Sequence, residues 1–215
     1  WELGQGFGHV GEMLPVARLL RDHGHEVVFA VRSFAVAEPT LGAEGFRYVA
    51  APFWEASEEA VAAAPLIENF AHMLLHSGYA AVESLTGLIG AWRDVFQSVE
   101  PDFLVADHAP TALLAAHAQG LRRAAMGIGF YFPGSETPFP SMRPWRPTSP
   151  VQLEAVDRVL LETVNDALAA HYGAPLAALP EMLDCEAKLL CTLPELDHYG
   201  PREHEHYRGP IYTKM

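Results

Sequence analysis

An α/β domain with a doubly wound parallel sheet is what this sequence predicts, on three observations. Short, apolar, β-branched runs lack polar alternation, as strands buried on both faces require. Amphipathic helical stretches separate those runs. The chain also opens on a glycine-rich turn leading straight into a helix, a junction where such sheets place ligands.

The elements follow in order. After Gly4-Gln5-Gly6-Phe7-Gly8, the residues Val10, Met13, Leu14, Ala17 and Leu20 share one helical face, and Gly24 ends that helix from the position after its cap. Glu26–Val31 is a short continuous strand, and Gly45–Val49 is the next. Residues from about Trp54 to Ser77 are alanine-rich and helical in tone, interrupted by Pro65. Val82, Leu85, Leu88, Trp92 and Val95 mark a long amphipathic helix. Phe103–Ala106 is a buried strand running into Asp107, a helix over Thr111–Gln119 stops at Gly120, and Ala124–Ile128 is a further strand.

Residues 130–150 carry too many prolines for regular structure and too many aromatics for a solvated linker. Ser149 as cap and Pro150 at the first helical position then start a helix towards Gly173, and Lys188–Leu193 is a last strand. A strand is expected before the opening loop, so residues are expected upstream of Trp1. Residues 1–211 are expected to form one Rossmann-like domain, with 212–215 the start of a linker or tail.

Half of the 215 residues are hydrophobic and 19% are charged, enough to bury a large core. Fourteen basic against 27 acidic residues give a formal charge of −13, which repels phosphodiester backbones and anionic lipids. Nucleic acid is therefore not an expected partner. The two cysteines suit a reducing compartment rather than a disulfide framework, and no run is apolar enough to span a membrane. A cytoplasmic location is expected.

Gly6-Phe7-Gly8-His9-Val10-Gly11 satisfies G-x-G-x-x-G. Small residues allow a tight turn, and the free N–H groups of a helix N-terminus can face an anion. One reading is therefore a Rossmann-type NADP-binding oxidoreductase domain, with Arg32-Ser33 holding the 2′-phosphate. The glycines could equally serve the turn alone.

The wider pattern points elsewhere. Gly8-His9-Val10, a helix containing Leu14, Pro15 and Ala17, and then Gly24-His25-Glu26-Val27 resemble the opening of a glycosyltransferase family. That family includes plant natural-product and bacterial macrolide glycosyltransferases. The two histidines stand sixteen residues apart, which matches its spacing. Pro101-Asp102-Phe103-Leu104-Val105-Ala106-Asp107 resembles the family's Pro-Asp-x-x-Val-x-Asp segment, and Tyr207-Arg208-Gly209-Pro210-Ile211 its Val-Gly-Pro segment. One departure is Gly11-Glu12, where the family commonly has Asn-Pro or a similar pair.

The resemblance implies the N-terminal, acceptor-binding half of a GT-B enzyme, with a separate C-terminal donor-binding domain as its partner. It implies a nucleotide diphosphate sugar as co-substrate, no further cofactor, no metal, and a small hydrophobic acceptor. Inverting transfer needs a base for the acceptor hydroxyl, and a neutral imidazole suits that task. By resemblance His9 is that base and Asp107 holds its other ring nitrogen, as triad logic requires. A histidine that only caps the helix, and an aspartate that caps the helix beginning at Pro110, are the plainer alternatives.

Gly8, Phe53, Trp54, Phe70, Met73, Phe130, Tyr131, Phe132, Phe139 and Trp145 are the expected acceptor-binding residues. Taken singly each aromatic also suits a core, and the proline-rich 130–145 cluster suits a pocket wall best. His72 and His76, four apart, and His204-Glu205-His206 have metal-ligand residue types, but a helix surface and a solvated loop explain them without a metal. A non-catalytic small-molecule binding module is the third functional reading.

Overall fold

The computed structural model describes residues 1–4, 6–55, 66–143, 145–203 and 205–212. Gln5, residues 56–65 with Pro65, Pro144, His204 and the tail residues 213–215 lie outside the described residues.

Helix α1, Phe7–Asp22, buries Val10, Leu14 and Ala17 as its periodicity requires, and Gly24 follows it at φ 86°. Strand β1, Val28–Val31, leads to the short helix α2, Phe34–Ala37, and a π-type turn. Strand β2, Arg47–Ala50, then returns parallel to β1, with Val28 opposite Arg47 and Val31 opposite Ala50. Val10, Leu14, Phe29, Val31, Leu41 and Phe46 close a small core between these elements.

The larger core belongs to the rest of the chain. Helix α3 is Phe70–Leu74 and helix α4 is Val82–Val99. Strand β3, Leu104–Ala106, precedes helix α5, Pro110–Gln119, and strand β4 is Arg123–Gly127. Helix α6, Pro150–Ala170, and strand β5, Ala187–Leu190, complete the regular elements among the described residues. β3, β4 and β5 pair in that order, all parallel.

Helix α5 is buried from Pro110 to Ala116, which explains why it is apolar all round and carries no amphipathic stripe. α4 packs on it through Leu85, Ile89, Trp92 and Phe96, one residue out of phase with the expected Leu88 and Val95, which are half-buried. Gly120 ends α5 at φ 66°, the left-handed conformation glycine adopts without strain.

The strands form two parallel sheets among the described residues, where one continuous sheet was expected. Residues 1–3 lie between them. The Trp1 backbone nitrogen donates to Ala30 O at 2.9 Å on one side, and Leu3 N donates to His108 O at 3.0 Å on the other. Single bonds on each flank join the two sheets without making a ladder.

The proline-rich stretch before α6 is held down rather than loose. Buried Asp157 of α6 accepts from Phe139 N at 2.8 Å, and buried Asn69 donates to Phe139 O at 3.2 Å. Asn69 Oδ1 in turn accepts from His72 N and caps α3. No helix among the described residues is long and apolar enough to cross a membrane.

Candidate active site

His9 and Asp107 meet at the seam between the two sheets. Gly6, at φ 140° and ψ 171°, turns the backbone just before α1, so His9 falls in the first helical turn. Its ring points inward and is 7% exposed. Asp107 follows directly on β3 and is 1% exposed. His9 Nδ1 lies 2.9 Å from Asp107 Oδ2, a contact spanning 98 residues of sequence. A carboxylate accepts, so the imidazole donates from Nδ1 and keeps its lone pair on Nε2. Among the described residues Nε2 has no hydrogen-bond partner.

Rings hold the imidazole in place. Trp1 stacks on it with centroids 5.6 Å apart and Tyr131 does so at 5.5 Å. Gly4 covers Nε2: a methyl carbon added there would stand 2.7 Å from it, and its φ of 80° favours glycine as well. The plainer reading of Asp107 as a helix cap does not hold, since Ala109 is the cap residue of α5 and no side chain of its own caps it.

Glu2 serves that helix instead. Its carboxylate accepts from Thr111 N at 3.2 Å, Thr111 Oγ1 at 2.5 Å and Ala112 N at 3.1 Å. These are donors of the first turn that the helix itself leaves unpaired. Burial nevertheless pushes the Glu2 carboxyl up to about 7, against the pull of those hydrogen bonds. Tyr79 extends the network through a 2.9 Å bond to Thr111 Oγ1.

Further titratable groups crowd the seam. Glu12, one turn along α1 from His9, is pushed up to about 7 by burial and then by the charge of Asp107. Burial and the same two acids hold the Tyr131 hydroxyl up at about 12. His108 is 6% exposed, and burial followed by the proximity of His9 brings it down to about 3. Sequence reasoning missed Glu2, Glu12 and His108; only the Thr111-Ala112 helix start hinted that some acceptor was needed.

The expected acceptor-binding residues divide. Tyr131 stands against His9 and His108, and Phe130 meets the His108 ring edge-on at 6.1 Å, so these two join the site. Phe53 lies under the Arg32 guanidinium at 4.2 Å. With Trp1, Gly4, Gly6, Ser33, Val36 and Glu55 these two residues line a cleft of about 270 Å³ beside the glycine loop. Arg32, which also donates to Glu2 O at 2.9 Å, therefore already has two partners. Gly8 is exposed, Trp54 is 42% exposed, and Trp145 is 75% exposed.

Phe70 and Phe139 are corrections. Both are 0% exposed and pack edge-to-face at 5.4 Å, because the Asn69–Asp157 clamp draws the proline-rich stretch into the core. Phe132 is likewise core, and Met73 packs against the same cluster. A larger surface cleft of about 440 Å³, lined by Leu66, Glu68, His72, Gln152, Ala155 and Val156, contains neither His9 nor Asp107. His72 bonds to Asn69 Oδ1 through Nδ1 at 2.8 Å. No group of three metal-ligating side chains occurs among the described residues.

A Rossmann-like α/β domain in which the start of its first helix and the end of β3 meet at a histidine–aspartate pair is the class of protein these features define. No protein-family model matches the chain, and no curated protein does. Solved structures do. The spinosyn forosaminyltransferase SpnP matches with a TM-score of 0.50 at 18% identity, over 87% of this chain and 44% of that one. SsfS6, a glycosyltransferase of Streptomyces sp. SF2575, matches with 0.49 at 16% identity, over 88% and 48%. The glycosyltransferase SnogD of Streptomyces nogalater matches with 0.47 at 18% identity, over 98% and 52%. The chain thus spans about half the length of these structures. The likeness to SpnP shows the fold alone: this chain shares the Rossmann-like α/β fold of somewhat under half of that structure.

Proposed function

We propose that this chain is the acceptor-binding half of an inverting glycosyltransferase. A donor-binding domain completes it, and a sugar moves from a nucleotide diphosphate sugar to a hydroxyl of a small hydrophobic acceptor. The fold shared with a structure described as a forosaminyltransferase supports the reading. The observation that carries it is the buried pair of His9 and Asp107 at 2.9 Å, with Nε2 left without a partner among the described residues.

The chemistry follows from that pair. The acceptor O–H gives its proton to His9 Nε2 as its oxygen attacks the anomeric carbon. The bond from that carbon to the diphosphate oxygen breaks, and the electron pair leaves with the nucleotide diphosphate. Asp107 keeps the ring in the required tautomer and stabilises the imidazolium that forms. Attack opposite the leaving group inverts the anomeric configuration.

The test is turnover by the complete protein that carries this chain. His9→Ala is expected to lower turnover by roughly 10²–10⁴-fold, the range for a general base, with acceptor binding largely kept. Unchanged turnover would remove His9 from the role.

A further inference from the structure

The cleft of about 270 Å³ beside the glycine loop opens where β1 and β2 end. Arg32 follows β1 directly, Phe53 and Glu55 come shortly after β2, and Gly4 belongs to the opening loop. Parallel α/β sheets hold ligands at such carboxyl ends. Two residues that line this cleft also meet the His9 ring. Trp1 stacks on it at 5.6 Å, and Gly4 lies so close that a carbon added there would clash with it.

Arg32 is held in the cleft but not used up. Its Nη1 donates to Glu2 O at 2.9 Å, and its guanidinium lies over the Phe53 ring at 4.2 Å. Those contacts fix one N–H and one face. The edge formed by Nε and Nη2 has no hydrogen-bond partner among the described residues, and it is not sealed from solvent. Other cations of this acidic chain meet carboxylates: Arg18 and Arg21 pair with Glu44, Arg47 with Glu26 and Arg202 with Asp197. Arg32 pairs with none among the described residues. Glu2 accepts through its backbone, and Glu55, exposed on the same cleft, makes no ion pair with it. A guanidinium fixed in place, facing a cleft without a counter-charge, is suited to an anion from outside.

We propose that this cleft binds a carboxylate, which Arg32 receives through Nε–H and Nη2–H. Naming the ligand an acceptor rests on the glycosyltransferase reading above, and the acceptor then carries its carboxylate on a flat apolar body. A guanidinium edge presents two parallel N–H groups, which a carboxylate meets with both oxygens. Trp1, Val36 and Phe53 supply apolar wall for the body. The volume falls short of the roughly 300–1,000 Å³ of pockets for whole drug-sized ligands, so the cleft seats one ring with its acid group and not a dinucleotide. A phosphate monoester, with nearly two charges, meets more repulsion from Glu55 and from a chain of net charge −13 than a carboxylate with one.

Benzoate is the probe, benzamide its neutral isostere, and adenosine 2′-monophosphate the phosphate comparison. Each is titrated by calorimetry into the complete protein at low salt. Benzoate is expected to bind at least tenfold more tightly than either. Arg32→Gln, which can still donate to Glu2 O, is expected to bring benzoate down to the level of benzamide. Arg32→Lys keeps the charge without the fork; it is expected to recover part of the difference and covers a glutamine variant that does not fold. Equal binding of benzoate and benzamide, no binding of either, or a preference for benzoate that survives Arg32→Gln overturns the site. Binding of the 2′-monophosphate as tight as that of benzoate, or tighter, overturns the carboxylate as its ligand. Benzoate binding is read without a sugar donor or turnover, so its failure leaves the His9 base standing. Unchanged turnover of His9→Ala would conversely leave the carboxylate site standing.

Discussion

His9 and His108 lie in one stack with ring centroids 6.2 Å apart, yet their surroundings differ sharply. The first turn of α1 delivers an imidazole whose Nδ1 meets a carboxylate at 2.9 Å. The junction of β3 and α5 delivers one with no hydrogen-bond partner for either nitrogen among the described residues. Two identical side chains, both more than nine-tenths buried, are thus given different partners by what faces them. Burial first, and then the nearby His9, holds the His108 ring below the ordinary histidine range.

The largest expected effect comes from making the two alike. Asp107→Asn removes the charge that sets His9 apart, and turnover of the complete protein is expected to fall by roughly 10²–10⁴-fold, as when such a pair loses its tautomer control. Steady-state rates beside those of His9→Ala check this. A loss tenfold or less would mean that the carboxylate does not orient the base.

Glu2 sharpens the contrast from the other side of Asp107. Its folded-state value of about 7 lies above that of a free carboxyl, so ionising it costs the folded state. That cost is absent at pH values below the unfolded carboxyl range and grows as pH rises through about 7. The native protein is therefore expected to lose on the order of 3 kcal/mol more stability between pH 5 and pH 8 than Glu2→Gln does. Denaturant melts at the two pH values measure it, and parallel losses in both proteins would refute the burial argument.

A third effect concerns His108 alone. Its folded value of about 3 lies below that of free histidine, so its contribution is complete above about pH 6.5 and is lost as pH falls. Below about pH 6 the native protein is expected to lose roughly 1.4 kcal/mol per pH unit that His108→Asn does not lose. Equal acid limbs in the two proteins would show that His108 takes up a proton freely when folded.

Much of the fold was legible from local pattern. All five strands among the described residues overlap the short runs read as strands. α1 and α5 end at Gly24 and Gly120 for the reason glycine ends helices, freedom at positive φ. His9 and Asp107 were legible because each sits at a recognisable junction, a glycine turn and a strand end. The division into two sheets was not, since it depends on single backbone bonds from residues 1–3 to Ala30 and His108. Phe70 and Phe139 were misread because their burial depends on Asn69 and Asp157, neither of which announces itself as a clamp.

The sequence by itself determined the α/β class and the order of strands and helices. These are encoded in periodicity, turn chemistry and short motifs, which act over a few residues. Only the tertiary structure decided that Glu2 would cap α5 through Thr111, 109 residues away, and that the His108 ring would stand 6.2 Å from that of His9. It also decided that Gly4 had to lack a side chain. Those roles depend on distances between segments remote in the chain, and they exist only once packing has brought the start of α1 and the β3–α5 junction together.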